Sequence, residues 1–266
     1  MTEISIRKAK GVPDYEGTVF APRRSKYCLL IPIINEGARI LTELGRAQKA
    51  GIDKLCDIII CDGGSTDGST KPETMELYGV NTLLVKTGPG KQGAQLRMGL
   101  HYALDRGYEG VLTIDGNNKD SIEDVPKFIA KLQEGYDLIQ GSRFIKGGHA
   151  IHTPPVRYVA VRLIHAPLIS LGARQWFTDT TNAYRAYSRE YLTHPMVCPL
   201  RDVFMGYELL AYLSVRATQV GLKACEVPVT RAYPAKGRTP TKISGFKGNS
   251  DLMKVLLATL AGKYNP

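Results

Sequence analysis

Two apolar runs in this chain stop abruptly at a carboxylate followed by glycine. One is Ile58-Ile59-Ile60-Cys61-Asp62-Gly63-Gly64-Ser65-Thr66-Asp67-Gly68, and the other is Val111-Leu112-Thr113-Ile114-Asp115-Gly116-Asn117. A run that is apolar at nearly every position, rather than at alternate ones, is what a strand covered on both faces requires. Such strands are parallel ones flanked by helices. An Asp ending each run puts charge at the carboxyl edge of a sheet, where open α/β folds bind ligands, and the adjacent glycine lets backbone approach closely. The pair points to a crevice for a nucleotide and its phosphates.

The flanking pattern agrees. Residues 27–34 read as a strand, and 36–50 as a helix with Ile40, Leu41, Leu44 and Ala47 on one face. A strand at 57–61, a short helix near 72–78, a strand at 80–85, a helix at 92–104 and a strand at 110–114 follow. Then come a helix at 122–132, with Ser121 as its N-cap, and a strand at 136–140. Strands and helices alternating through loops of a few residues build βαβ units and a mostly parallel sheet. Past Gly141 the regularity weakens: a basic loop, a helix at 157–171, a strand at 182–187, a helix at 205–218, a strand at 223–229, a Pro/Gly/Lys loop at 232–248 and a helix at 251–260. The domain reading is an N-terminal extension over 1–26, one α/β catalytic domain over 27–248, and a C-terminal helix and tail over 249–266.

Composition narrows the class of protein. The 266 residues, 43% hydrophobic, suffice for one elaborated domain. The five cysteines are scattered, without a C-x-x-C pair, which suits reduced thiols in a cytosolic protein and argues against structural zinc. The first residues carry no apolar signal-peptide core. No window reads as the ~18 apolar residues of a membrane span; the longest candidate, 161–171, is broken by Arg162 and His165. The net charge of +10 comes without a nucleic-acid-binding signature. The basic residues gather late, which fits phosphorylated substrates near a membrane surface better than nucleic acid. Leu252, Val255, Leu256 and Leu260 share a helical stripe, suited to the core or to an interface with lipid.

Further motifs recur in a fixed order: Pro32-Ile33-Ile34-Asn35-Glu36, the Asp62–Gly68 loop and Asp115-Gly116-Asn117. Together they resemble the motifs of family 2 glycosyltransferases with the GT-A fold. Gly90-Lys91-Gln92-Gly93-Ala94, the segment Gly141-Ser142-Arg143-Phe144 through Gly148, Asp179-Thr180-Thr181-Asn182-Ala183-Tyr184-Arg185 and Glu226-Val227-Pro228-Val229 are similar to the polyprenyl- or dolichyl-phosphate mannosyl- and glucosyltransferase branch. The resemblance implies an inverting transfer from a nucleoside-diphosphate sugar. It places Pro32, Asn35, Glu36, Asp62, Gly63, Ser65, Lys91, Asp115 and Gly116 at the nucleotide, with Asp62 holding base or ribose. It puts Arg143 and Arg185 on phosphates, where a planar guanidinium binds oxygens in pairs, and Arg238 and Lys242 in a loop closing over donor or acceptor. Mg²⁺ or Mn²⁺ at Asp115 and Asn117 would offset charge on the leaving diphosphate.

The chain departs from that family where Asp-Ala-Asp followed by Gln becomes Asp115, Asn117 and Lys119. Asn is a neutral oxygen ligand, and a charged Lys cannot coordinate. Either a weakened metal site persists, with Asp120 or Glu123 taking part, or the Lys119 ammonium partly replaces the cation; retained but weaker metal dependence is the expectation. The acceptor is open too. A phosphate needs no general base, whereas a sugar hydroxyl does, and Asp202 is the candidate base beside the family-like Glu208. Expected partners are a nucleoside-diphosphate sugar, an anionic lipid-linked or glycan acceptor and the membrane surface, with no nucleic acid. The expected location is the cytoplasm, peripheral to the inner face of the membrane. A sugar nucleotidyltransferase would carry an N-terminal Gly-rich, basic triphosphate loop, which 32–39 does not resemble. A catalytically dead binding module is the reading that Asn117 and Lys119 motivate.

Overall fold

Both apolar runs form central strands of a nine-stranded sheet in the computed structural model, which describes residues 2–4, 9–235 and 245–266. In chain order the strands are β1 (Thr2–Ile4), β2 (Tyr15–Val19), β3 (Tyr27–Ile33), β4 (Asp57–Asp62), β5 (Thr82–Lys86), β6 (Gly110–Thr113), β7 (Leu138–Ser142), β8 (His149–Ile151), β9 (Arg185–Ser188), β10 (Ala224–Pro228) and β11 (Thr230–Ala232). The sheet order is β1-β2-β5-β4-β3-β6-β9-β7-β10, and β8 and β11 form a separate parallel pair. Strands β5, β4, β3 and β6 are mutually parallel, so Ile33, Asp62 and the residues after β6 reach the same edge.

Alternate residues of each central strand serve two cores, which is why the runs must be apolar throughout. Cys28, Leu30, Ile59 and Cys61 pack towards the helices Gln92–Asp105 and Glu208–Gln219. Leu29, Ile31, Ile58 and Ile60 pack towards Ala38–Lys49 and Val125–Gln133. Pro32 is tolerated in β3 because pairing with β6 ends at Leu30; beyond it no ladder bond on that side is lost.

The structure bears on three expectations. The described part of the N-terminal extension joins the sheet of the catalytic domain: β2 pairs antiparallel with β5 and β1 pairs with β2, while the Arg24 amide donates to Asp57 at 2.9 Å. With Gly17 and Thr18 at its middle and only partial burial along its length, β2 carries no apolar run to announce it. The terminal helix begins at Gly245 rather than 251, and Leu256 is buried against the helices before and beside it, so its apolar stripe belongs to the core. The segment Pro155–Ala173 is one helix, with a π-turn at Val161–His165, and by length and composition it passes for a membrane-crossing helix, contrary to the sequence reading. Its C-terminal half buries Ala166, Ile169 and Ala173, while Val156, Val159 and Leu163 face outward and Leu163 is 71% exposed.

Candidate active site

At the ends of β3 and β4 the crevice is built from two loops bonded to each other. Asn35, held at φ 53°, accepts the Thr66 amide on its side-chain oxygen at 2.8 Å, and its own amide donates to the Ser65 hydroxyl at 2.9 Å. Asp67 accepts the Gly37 amide at 2.8 Å and both the amide and hydroxyl of Ser69, and the Ser69 hydroxyl bond leads in holding its carboxyl below the usual range. Glu36 pairs with Arg39 at 2.7 Å. Asp62 is 1% exposed, and its oxygens accept the Ser65 amide at 3.0 Å and hydroxyl at 2.6 Å. This corrects the expectation that Asp62 itself reaches base or ribose: its carboxylate shapes the loop from within. Gly63 must remain glycine, because a Cβ there would lie 2.9 Å from Gln95 Nε2, which bridges the Ile33 and Cys61 carbonyls.

The end of β6 is built from charge. Asp115 follows the strand and accepts from Gln92 Nε2 at 3.1 Å and from Arg231 Nη2 at 3.2 Å. Burial alone raises its carboxyl, but the Arg231 and Lys119 cations outweigh this and hold it below the ordinary range. Gly116 is fixed by packing, since a Cβ would meet Ile33 Cγ2 at 2.4 Å. The Asn117 side-chain oxygen accepts the Lys119 amide at 3.3 Å. Lys119 is 6% exposed, with its ammonium 5.3 Å from the centre of the Tyr233 ring; burial, with Arg231 next, brings it down to about 8. Asp120 is fully buried and paired with Arg231 through Nη1, which also donates to Asn182 at 3.2 Å. Glu123 pairs instead with Arg46 on the neighbouring helix.

This set does not fit a divalent ion well. Asp115 brings a single carboxylate already engaged by a guanidinium, Asn117 is neutral, Asp120 gives one oxygen to Arg231 and keeps the other buried without a partner among the described residues, and Glu123 is taken by Arg46. No three His, Cys, Asp or Glu side chains among the described residues converge on a point where an ion would sit. Arg231 thus stands against Asp115, where Mg²⁺ or Mn²⁺ was expected from the sequence.

The other predicted arginines divide. Arg185 is 1% exposed and donates to the carbonyls of Asn182, Leu210 and Thr180, so it is a brace and not a phosphate ligand. Arg143 forms a buried two-point ion pair with Asp179, at 2.6 and 2.8 Å, yet its Nη1 is buried without a hydrogen-bond partner among the described residues. Arg238 and Lys242 lie outside the described residues. Tyr233, Arg157, Arg162 and Arg231, which the sequence did not single out, stand beside Lys119 and Arg143. Tyr233 has Lys119, Arg157 and Arg231 within 5.8 Å of its ring, and Arg157 donates to its hydroxyl at 3.1 Å. Burial pushes that phenol up, but the surrounding guanidiniums of Arg231 and Arg157 bring it down to about 8. Arg143 and Arg162 stand over the Phe144 ring at 5.0 and 5.2 Å.

Among the described residues neither candidate carboxylate bonds to this group. Asp202 is exposed and lines a cavity of about 510 Å³ with Lys10, Leu104 and Cys198, Leu104 lying near the far end of the helix that starts at Gln92. The following helix starts at Glu208. Glu208 accepts the Gly206 amide at 2.5 Å, and its charge is felt by Arg97 and Tyr264. Lys91 is exposed just before Gln92, its amide held by the Met205 carbonyl at 2.8 Å. His165 bonds the Thr180 hydroxyl at 2.7 Å and is held down to about 4 by burial and then by Arg185, in keeping with a histidine among arginines.

Glucosyl-3-phosphoglycerate synthase from Mycobacterium tuberculosis, solved with Mn²⁺, UDP and glucosyl-3-phosphoglycerate, is similar in structure with a TM-score of 0.62 at 19% identity, over 89% of this chain and 78% of that one. At that identity the likeness is one of fold, and the fold is that of the GT-A glycosyltransferases. The profile of glycosyl transferase family 2 matches residues 28–194, and the chain belongs to that family of enzymes. Among its relatives are the undecaprenyl-phosphate mannosyltransferase of Micrococcus luteus, 28% identical over 88% of this chain and 94% of that protein, and the polyprenol monophosphomannose synthase of Mycolicibacterium smegmatis, 26% identical over 97% and 95%. The resemblance to the polyprenyl-phosphate branch, read from the motifs, is thus matched over nearly the whole chain.

Proposed function

We propose that this enzyme transfers a glycosyl group from a nucleoside-diphosphate sugar to a polyprenyl phosphate, with inversion, at the surface of a membrane. The observation that carries the reading is the collection of Lys119, Arg143, Arg157, Arg162 and Arg231 on the faces of Tyr233 and Phe144, beside Asp115 and on or next to the helix Pro155–Ala173. Cations held on aromatic rings suit a phosphate. The outward Val156, Val159 and Leu163, with exposed Trp176 just past the helix, suit the apolar remainder of a lipid. Relatives named for undecaprenyl and polyprenol phosphates support the same acceptor class.

In this reading an oxygen of the acceptor phosphate bonds to the anomeric carbon as the bond to the diphosphate breaks, and the nucleoside diphosphate leaves. A phosphate monoanion or dianion is already nucleophilic, so no base is needed, in keeping with Asp202 standing elsewhere. Single displacement inverts the anomeric centre. The β3–β4 loops, with Asn35, Glu36, Gly63 and Ser65, wall the nucleoside; Gln92, Lys91 and Gly116 flank its diphosphate; and the unpartnered Nη1 of Arg143 meets the acceptor phosphate. The working unit includes β2 and the terminal helix. Five free cysteines suit a reducing compartment, hence the cytoplasmic face.

The test is incubation of the purified chain with a panel of nucleoside-diphosphate sugars and either polyprenyl phosphate in anionic vesicles or a soluble saccharide. A lipid-linked sugar monophosphate of inverted anomeric configuration is the expected product. Transfer to the saccharide alone defeats the acceptor assignment, and retention defeats the displacement. Leu163→Glu is expected to cut vesicle co-sedimentation while leaving donor binding intact.

A further inference from the structure

Asp115 and Asp120 stand either side of one guanidinium. Arg231 comes from β11, whose backbone meets Asp120 in an isolated antiparallel bridge, and its two terminal nitrogens reach the two carboxylates. It is 5% exposed, and Lys119 lies between the two aspartates in sequence with its ammonium over Tyr233. Two carboxylates and two side-chain cations leave this cluster formally neutral. A divalent ion bound by two carboxylates reaches the same sum.

We propose that Arg231, seconded by Lys119, is the built-in counter-cation of this site, so that the donor's diphosphate is bound without a divalent metal ion. The inference rests on the nucleoside-diphosphate-sugar reading given above. Asp115 holds the Arg231 guanidinium at the edge of β6, and Asp120 and Asn182 fix its other nitrogen, so its plane cannot swing away. A fixed guanidinium in a water-poor setting stabilises a neighbouring diphosphate without the reorganisation that a hydrated ion needs.

The experiment is calorimetric binding of UDP and GDP to the full chain, in excess EDTA and again in Mn²⁺. Wild-type protein is expected to bind one of them equally well, within about threefold, in the two buffers. Arg231→Gln is expected to lose about tenfold or more in EDTA, the worth of a charge-assisted contact, and to regain part of it with Mn²⁺, because Asp115 and Asp120 are then released for a metal. A residue of merely structural importance would not acquire that metal response. Arg231→Lys keeps the charge and is expected to bind in EDTA, and Lys119→Gln reports on the second cation should Arg231→Gln fail to fold. Wild-type binding that rises more than about tenfold on adding Mn²⁺ overturns the inference and leaves the donor reading standing. So does unchanged affinity in both Arg231→Gln and Lys119→Gln. Binding of neither nucleotide in either buffer sinks the donor reading and this inference together.

Discussion

The two sides of the crevice are held together by different physics. At β3 and β4, Asn35, Asp62, Ser65, Thr66 and Asp67 bond to backbone amides and hydroxyls, and the single ion pair, Glu36 with Arg39, sits at the margin. At β6, β7 and β11 the connections are buried ion pairs: Asp179 with Arg143, and Asp115 and Asp120 with Arg231. The first kind of framework shapes a loop at modest energy per bond. The second places fixed charge where an anion must be bound, and it fails badly when one partner is removed.

Asp179→Ala attacks the second framework most directly. It leaves the Arg143 guanidinium buried and unpaired, and a loss of about 3–5 kcal/mol in denaturant unfolding is expected. A loss under about 1 kcal/mol would mean the pair is no more than a surface-like contact, and the contrast would collapse. Gly116→Ala comes next, because the added methyl meets Ile33 at 2.4 Å across the two sides. Overpacking of this kind costs about 1–3 kcal/mol, and nucleotide affinity, read by calorimetry, should fall with it. Asp62→Asn probes the first framework and should cost only about 1 kcal/mol, since a carboxylate oxygen that accepts from Ser65 is replaced by a donor; a larger loss than that of Asp179→Ala would invert the ranking of the two sides.

The last effect expected is acid sensitivity, which is absent at neutral pH. His165 is held down to about 4 by burial and Arg185, whereas an unfolded histidine titrates near ~6.5. Between those values the unfolded chain binds the extra proton, so stability should fall as pH drops through that window and be level above it. His165→Gln should flatten the melting-temperature profile between those two pH values, and an unchanged slope would assign the acid sensitivity elsewhere.

What the sequence made legible follows the same division. Strands β3, β4 and β6 and the helix Gln92–Asp105 are visible because two-sided burial writes an unbroken apolar run, and helical burial a period, into neighbouring residues. The Asp62 loop could be located but not its internal use, because whether a carboxylate faces a ligand or its own loop depends on a few ångströms of backbone. The ion-pair side was largely hidden. Arg231 meets Asp115 across 116 residues of sequence, and no local period or spacing encodes such a meeting. Arg143 could be picked out by its motif, but not its buried pairing with Asp179, 36 residues on, which leaves one guanidinium nitrogen for a phosphate. Asp202 failed for a related reason, since its proximity to Glu208 in the chain says nothing of the far cavity it lines.

Strand β2 bears on what the sheet would offer to another copy of the chain. By lying antiparallel along β5 it covers the row of amides and carbonyls that Thr82-Leu83-Leu84-Val85-Lys86 would otherwise offer as an edge, and β1 extends the cover with a strand of three residues. A chain shortened to begin at residue 27 would keep every proposed substrate contact and yet expose an apolar edge ready to pair with another sheet. The cover of the β5 edge and the proposed substrate contacts therefore lie at separate places in this molecule.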